Sequence, residues 1–540
     1  MKSSKILLLS LVLVVISNAF AIPLSYADQS ITVPTGQESF PLYGPIASPI
    51  ISTDPSKAMP IGVGSVASGG DMVSVQVGIG QFSGPVDIYF AYYAPSIDPQ
   101  NIYILTSNYT FIPLSVLDPL HEGLTPWKIN VSSGINESLA SALGNIPVSS
   151  LPPGTYTAYL LVTPAGRLDS YYLWSTAVYV ADNVLPITVN GSLCSADSYP
   201  NKPCVSVTVC TPGTSTCQAI SDILLDTGSS GLRIFKQALN VFLPQVAGGS
   251  GSLAECMQFG DGSSEWGPVL MAGVILGNEP ATQVPIQVID STFGSLPRAC
   301  RNADLTSADG GFNGILGVGL FIQDCGSECA NTTGNGMYYT CSGSQCSRTA
   351  VALSSQVQNP VALLPKDNNG VIVQLPSVPP GGVTSVSGSL VLGIGTQSNN
   401  IPFGVQTYPV DQLGEFIANF NGIPYGSFID TGSNGLFFPS PSASVLLQCR
   451  APNSDWFCPT TTISLSAINM GASGSPNGAV SFQIGNYASL ISSSGNVFSD
   501  IGGEQTGEFD WGLPFHFGRD IFVGFEGSSS SLGNGPYWAY

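Results

Sequence analysis

The chain has 540 residues, of which 14 are Lys or Arg and 34 are Asp or Glu; charged residues make up 9% and the formal net charge is −20. A nucleic-acid binder needs a basic footprint and an anionic membrane surface attracts cations, so neither is an expected partner. A hydrophobic content of 43% argues against disorder, and 62 Gly with 41 Pro favour an all-β, turn-rich chain over a helical one.

Met1-Lys2-Ser3-Ser4-Lys5, the apolar run Ile6 to Ile16 and Ala19-Phe20-Ala21 read as a secretory signal peptide, assigned to residues 1–27 with cleavage after Ala21 or Ala27. The run is too short to span a bilayer, so a secreted, periplasmic or cell-surface protein with no membrane insertion after signal removal is expected. Residues 28–70 are rich in Pro, Ser and Gly and are expected to be extended. Residues 71–190 carry β-rich stretches at Met72–Val77, Val86–Phe90, Thr155–Val162 and Tyr171–Val180, with a turn at Leu151-Pro152-Pro153-Gly154. They read as a small β-sandwich, a spacer or a module that binds a surface or protein partner.

All twelve cysteines lie at or after Cys194, which sets residues 191–540 apart as a second module. An even count in an exported chain implies disulfides, with Cys210/Cys217 and Cys449/Cys458 as local staples and the remaining connectivity open. A zinc site at Cys325, Cys329, Cys341 and Cys346 is the alternative, disfavoured by export. With only His121 and His516, a poly-His metal site is excluded, and neither metal nor cofactor is expected.

The chemistry sits in a repeat. Ile223-Leu224-Leu225-Asp226-Thr227-Gly228-Ser229-Ser230-Gly231-Leu232 and Phe428-Ile429-Asp430-Thr431-Gly432-Ser433-Asn434-Gly435-Leu436 each run an apolar strand into Asp-Thr-Gly-Ser, then x-Gly-Leu. One such tripeptide is a common turn; two in the same context are a strong signal. The strand delivers a carboxylate to a buried edge, Gly permits a tight turn beneath it, and the Thr and Ser hydroxyls hold it in place. If the two loops meet about a pseudo-twofold axis, the carboxyls share one site. Like charges that close cannot both ionise, so one titrates low and the other high.

These loops resemble those of pepsin-like aspartic proteases, and the resemblance covers residues 191–540. Phe259-Gly260-Asp261-Gly262-Ser263 resembles that family's flap, with Trp266 shortly beyond it. Phe312-Asn313-Gly314-Ile315-Leu316-Gly317-Val318 is similar to the apolar element behind the first loop, Ser389–Gly393 to the strand opening the second lobe, and Trp511–Phe525 to the closing strands. The resemblance implies an all-β, bilobal double β-barrel, with lobes at about 191–385 and 386–540, preceded by the sandwich. It further implies an endopeptidase acting on a polypeptide substrate at acidic pH through Asp226 and Asp430. Thr227, Gly228, Ser229, Thr431, Gly432 and Ser433 would support the pair, and Phe259, Gly260, Asp261, Gly262 and Trp266 would form the flap and contact substrate, with packing the favoured role for Trp266 taken alone.

Two positions depart from the family pattern. Phe259 stands where Tyr is usual, and Arg233 where a Trp usually supports that Tyr. Residues 28–190 hold only Lys57, Lys128 and Arg167 as basic residues, so no basic propeptide is visible. The competing reading is a noncatalytic protein that holds peptide or glycan in the same cleft. A serine hydrolase fails for want of a Gly-x-Ser-x-Gly elbow, and nothing in a two-carboxylate glycosidase calls for Thr-Gly after each acid.

Overall fold

The computed structural model describes Gln37–Ser39, Ile61–Ala67 and, apart from short gaps, residues 71–540. The expected signal peptide and most of residues 28–70 lie outside the described residues. Ile61–Ala67 is a strand, paired antiparallel with Asp71–Ile79 from Ile61 opposite Val77 to Ala67 opposite Asp71. Among the described residues the chain is built mainly of strands, with a few helices of four or five residues, and is all-β. No helix of the described residues is long and apolar enough to cross a membrane.

The chain divides into two compact units, Met1–Asp182 and Asn183–Tyr540. In the first, Val86–Tyr93, Gly154–Pro164 and Tyr172–Val180 form the middle of one sheet, and Asp71–Ile79 is the centre of another. Alternation of side chains along each strand places Val86, Ile88 and Phe90 on one face, with Leu160, Val162, Tyr172 and Trp174 from neighbouring strands. Val75, Val77 and Ile79 of the other sheet complete that core. The two sheets thus bury a shared apolar layer, which neither could do alone.

The unit boundary falls between Asp182 and Asn183, before the strand Val184–Val189, rather than at 190/191. That strand pairs antiparallel with Val386–Leu392 and with Pro203–Cys210, so it is part of the second unit's sheet. Gly370–Leu375 pairs with Val386–Leu392 and with Arg519–Gly524, so strands from both halves of the unit are hydrogen-bonded in one sheet. A second, seven-stranded sheet lies within residues 416–511. One continuous core holds Leu225, Leu232 and Leu316 together with Ile429, Leu436 and Trp511. Burying each such side chain contributes about 1.5–3 kcal/mol.

All twelve cysteines are paired: 194–204, 210–217, 256–300, 325–329, 341–346 and 449–458. The two expected local staples are among them. The pairs 325–329 and 341–346 consume the thiols that a zinc site would need. Five of the six close loops of ten residues or fewer; only 256–300 spans a long segment, and it ties the flap-like hairpin to the loop before Ser307.

Candidate active site

The two Asp-Thr-Gly loops are wired identically. The strand Cys217–Asp226 ends on Asp226, and the chain returns as Ser230–Phe235. Gly314–Val318 lies between them, parallel to the first (Asp226 opposite Gly317) and antiparallel to the second (Gly231 opposite Gly317). In the second copy Ile423–Ile429 leads to Asp430 and the chain returns as Leu436–Phe438. Glu508–Trp511 lies between those two, parallel to one and antiparallel to the other. Each aspartate therefore sits at the end of a strand whose both edges are paired, which fixes its backbone.

The loops meet through their threonines. Thr227 N–H donates to Thr431 Oγ1 and Thr431 N–H donates to Thr227 Oγ1, both at 3.0 Å. Thr227 Oγ1 in turn donates to the Ile429 carbonyl at 2.9 Å, and Thr431 Oγ1 to the Leu225 carbonyl at 2.7 Å. Both threonines are buried. Every donor and acceptor in this cross-brace is satisfied by the opposite loop, so neither loop can shift without orphaning buried polar groups.

That brace sets Asp226 and Asp430 side by side: a single Cβ on Gly432 would crowd both, 2.9 Å from Asp226 Oδ1 and 3.1 Å from Asp430 Oδ1. Gly228 N–H donates to Asp226 Oδ1 at 2.8 Å and Gly432 N–H to Asp430 Oδ1 at 2.7 Å. Ser229 Oγ donates to Asp226 Oδ2, and Ser433 Oγ donates to Asp430 Oδ2 at 2.8 Å. The glycines are needed for space rather than for backbone freedom. A Cβ on Gly228 would stand 2.7 Å from Asp430 Cγ, and one on Gly432 would stand 2.9 Å from Asp226 Oδ1. Burial, then the Asp226 and Asp510 charges, hold the Asp430 carboxyl well above the usual range. One of the pair thus keeps a proton where ordinary carboxyls have lost theirs.

The flap-like segment is a hairpin of Gly251–Gln258 and Ser264–Ile275. Its tip closes through Phe259 N–H to Ser263 O at 3.0 Å and Gly262 N–H to Phe259 O at 3.1 Å. Asp261 Oδ1 accepts from the Ser263 N–H and Oγ at 2.9 and 2.6 Å. Gly262 has φ +87°, which favours glycine, whereas a Cβ on Gly260 would meet nothing within 4 Å. The Phe259 ring is half-buried against Leu224, Phe235, Ile289, Phe312 and Ile315. Leu224 lies two residues before Asp226, so the tip and the Asp226 strand share one apolar wall. Gly260, Asp261 and Gly262 are exposed.

Trp266 does not share that position. It is 0% exposed, donates its indole N–H to the Phe293 carbonyl at 2.8 Å, and packs on Tyr339 beside Cys256 and Cys300. Its cross-strand partner is Cys256, which turns it into the disulfide cluster. The expected substrate contact at Trp266 is corrected to a packing role.

Arg233, one of the two departures from the resembled pattern, is fully buried. Its guanidinium bonds Glu255 Oε1 at 2.8 Å, Asp324 Oδ2 at 2.9 Å and the Ser230 carbonyl at 2.8 Å. Tyr338 OH donates to Asp324 Oδ1 at 2.8 Å and accepts from Val357 N–H at 2.7 Å. Burial alone would depress the Arg233 value, but Glu255 and Asp324 outweigh it and raise it. Burial and then Glu255 push the Asp324 carboxyl well up. Glu255 belongs to the first strand of the hairpin, so this ionic cluster ties the hairpin to the Asp226 loop.

Two groups near the site escaped the sequence reading. Asp510 is 5% exposed and is pushed up to about 8 by burial and by the Asp226 and Glu508 charges. Tyr199, on the excursion between Val184–Val189 and Pro203–Cys210, donates its hydroxyl to the Gly432 carbonyl at 3.3 Å. Cys194, Cys204 and Asp222 also cluster, but the sulfurs form a disulfide and Asp222 pairs with Lys202 at 2.9 Å, so no thiolate ligand is on offer.

Residues 179–540 match the family model described as "Protein of unknown function (DUF3443)". The match spans more than half of the chain, and the chain belongs to that family. No curated protein matches it.

Proposed function

We propose that residues 183–540 are an exported aspartic endopeptidase of pepsin-like, double-barrel architecture. The observation that carries the reading is the reciprocal threonine brace, which holds the two Asp-Thr-Gly loops together; on this reading the paired carboxyls share one proton. A pair in that state does two jobs at once. Asp226, free of the shared proton, takes a proton from a water held between the carboxyls as that water attacks a peptide carbonyl. Asp430, protonated, donates to the carbonyl oxygen as it gains charge. The proton gained by Asp226 then passes to the leaving amine, and as the C–N bond breaks one hydroxyl of the tetrahedral intermediate returns its proton to Asp430, so that the pair returns to its starting state.

Further support comes from the hairpin tip, where half-buried Phe259 packs on the buried Leu224, Phe312 and Ile315 and so joins the tip to the Asp226 strand. The missing phenol at Phe259 removes one polar contact to substrate and leaves the carboxyl pair untouched. Six disulfides fit an oxidising compartment outside the cytosol.

The test is cleavage of an unfolded protein by the full mature chain between pH 2 and 7, with and without a pepstatin-type inhibitor. Asp226→Asn and Asp430→Asn are each expected to lower the rate at least about a thousandfold while the fold is kept. Absence of cleavage across that range by a folded sample overturns the reading in favour of a binding protein.

A further inference from the structure

We propose that residues 436–519 enclose a binding site for a small aromatic monocarboxylate, set behind the Asp430 loop and apart from the carboxyl pair. The site goes beyond the protease reading and does not depend on it.

The cavity measures about 180 Å³ and reaches the surface at Ser481 and Gln483, which are exposed. Neither Asp226 nor Asp430 lines it. Its floor is apolar: Leu436, Trp511, Phe515 and Phe517 line it and are buried. Phe482 stands edge-on to Trp511 with ring centroids 5.4 Å apart, and the Trp511 and Phe515 rings are 4.9 Å apart. The backbone beneath is fixed as well. Trp511 lies opposite Ile429 on one side and Leu436 on the other, and its carbonyl accepts from the Asp430 N–H at 3.1 Å. A preformed floor of this size takes one six-membered ring, since an apolar cavity of about 150 Å³ is enough for benzene.

The floor alone would accept any small apolar molecule, and Arg519 sets the charge. Arg519 lines the cavity and is half-buried, its guanidinium 4.5 Å from the centroid of the Phe515 ring. The fully buried cations of the same unit each have acids. Lys202 has Asp222 at 2.9 Å, and Arg233 has Glu255 and Asp324 at 2.8 and 2.9 Å. Arg519 has none. Among the described residues its one hydrogen bond runs from Nη1 to the Phe515 carbonyl at 2.7 Å, and no acid lines the cavity. With 34 acids against 14 Lys and Arg, acids are not what the chain lacks. Burial holds the Arg519 value down, as expected of a cation that has given up water without gaining an anion.

A second group calls for an acceptor. Trp511 Nε1 is the one polar side-chain atom of that floor, and it is buried with no partner among the described residues. A carboxylate can answer both groups: it accepts from the guanidinium and has lone pairs left for the indole N–H. An amine would be repelled by Arg519, and a phosphate would find one cation over a floor of rings.

The test is equilibrium dialysis of the full mature chain against benzoate near pH 6, where an ordinary carboxyl is ionised. Benzoate is expected to bind at one site with a dissociation constant of about 1 mM or tighter. Benzamide has the same shape and no charge, and should bind at least about tenfold more weakly, while inorganic phosphate should not compete. Arg519→Gln should weaken benzoate at least about tenfold and leave benzamide within about twofold. Ser481→Leu, at an exposed rim position, should weaken both probes by narrowing the mouth, and it serves as well where Arg519→Gln fails to fold. The proposal is overturned if benzoate does not bind at about 10 mM, if benzamide or phosphate binds as well as benzoate, or if neither substitution affects benzoate. None of these measurements uses catalysis, so a protein that cleaves nothing still decides the question.

Discussion

The two halves of the site share a backbone and exchange their chemistry. Arg233 is paired across strands with Ile315 in the first half, and Phe437 with Asp510 in the second. Each pair occupies the same place relative to its aspartate, seven residues on and one strand over. In the first half the charge is on the returning strand and its neighbour is apolar; in the second the returning strand is apolar and its neighbour is the acid. Arg233 is compensated by Glu255 and Asp324, whereas Phe437 packs on Trp456, itself stacked on Tyr487. The duplicated element thus fixes where the carboxyls stand, and the residues behind it decide how each behaves. One loop is anchored by ions to the hairpin, and the other is backed by rings with an acid beside it.

The largest effect expected from breaking this difference is at Arg233. Arg233→Met leaves Glu255 and Asp324 buried without their cation, and is expected to cost about 3–5 kcal/mol of stability in chemical denaturation. Adding Glu255→Gln should recover most of that loss, because burial and Glu255 already hold the Asp324 carboxyl well up and the cost lies in the acid left without its cation rather than in the missing guanidinium. At Phe437, where no charge depends on the side chain, Phe437→Leu should cost about 1–2 kcal/mol, and neutralising neighbouring acids should recover none of it.

The next effect is the response to pH, and its sign is opposite to that of most acid unfolding. Glu265, in the second strand of the hairpin, is pushed up to about 9 by burial and the Asp304 charge, and Asp510 to about 8. Groups raised in the folded state give their full stabilisation below the unfolded carboxyl values near 4 and lose it as pH rises through 8 to 9. His516 runs the other way: burial depresses it to about 3, so its contribution is present above about 6.5 and is lost as pH falls through 3. The melting temperature should therefore be higher at pH 4.5 than at pH 8.5. Asp510→Asn should be more stable than the unsubstituted chain at pH 8.5, by on the order of 2 kcal/mol, with the gap narrowing toward pH 4.

What the sequence makes legible follows the same division. The Asp-Thr-Gly loops are local in the chain, so strand, acid, turn and hydroxyl can be read together, and their meeting is implied by the repeat. The residues that set the two aspartates apart carry no local signal. Arg233 finds Glu255 and Asp324 at separations of 22 and 91 residues. Asp510 is a single acid in an apolar strand, which only alignment of the two copies exposes as out of place. Trp266 reads as a flap aromatic because it follows the hairpin tip, but strand register turns it toward Cys256. Cysteines mark where staples begin, whereas Val184–Val189 joins the second unit's sheet through backbone bonds that composition does not reveal.

The smallest expected effect lies where the halves do not differ. Thr227 and Thr431 make the same bonds to one another, so equivalent substitutions should cost the same on either side. Valine keeps the shape and removes the hydroxyl, leaving one backbone N–H and one carbonyl on the opposite loop unpaired, for about 1–3 kcal/mol. Serine keeps the hydroxyl and removes one buried methyl, for about 0.8 kcal/mol. The double Thr227→Val, Thr431→Val chain should lose less than the sum of the singles, since after the first substitution the loops part and the second breaks bonds already weakened. Unequal single-site costs, measured as shifts in denaturation midpoint, would mean that the differences behind the two loops reach the brace itself. Equal costs would confine them to the residues that set the protonation of the carboxyls.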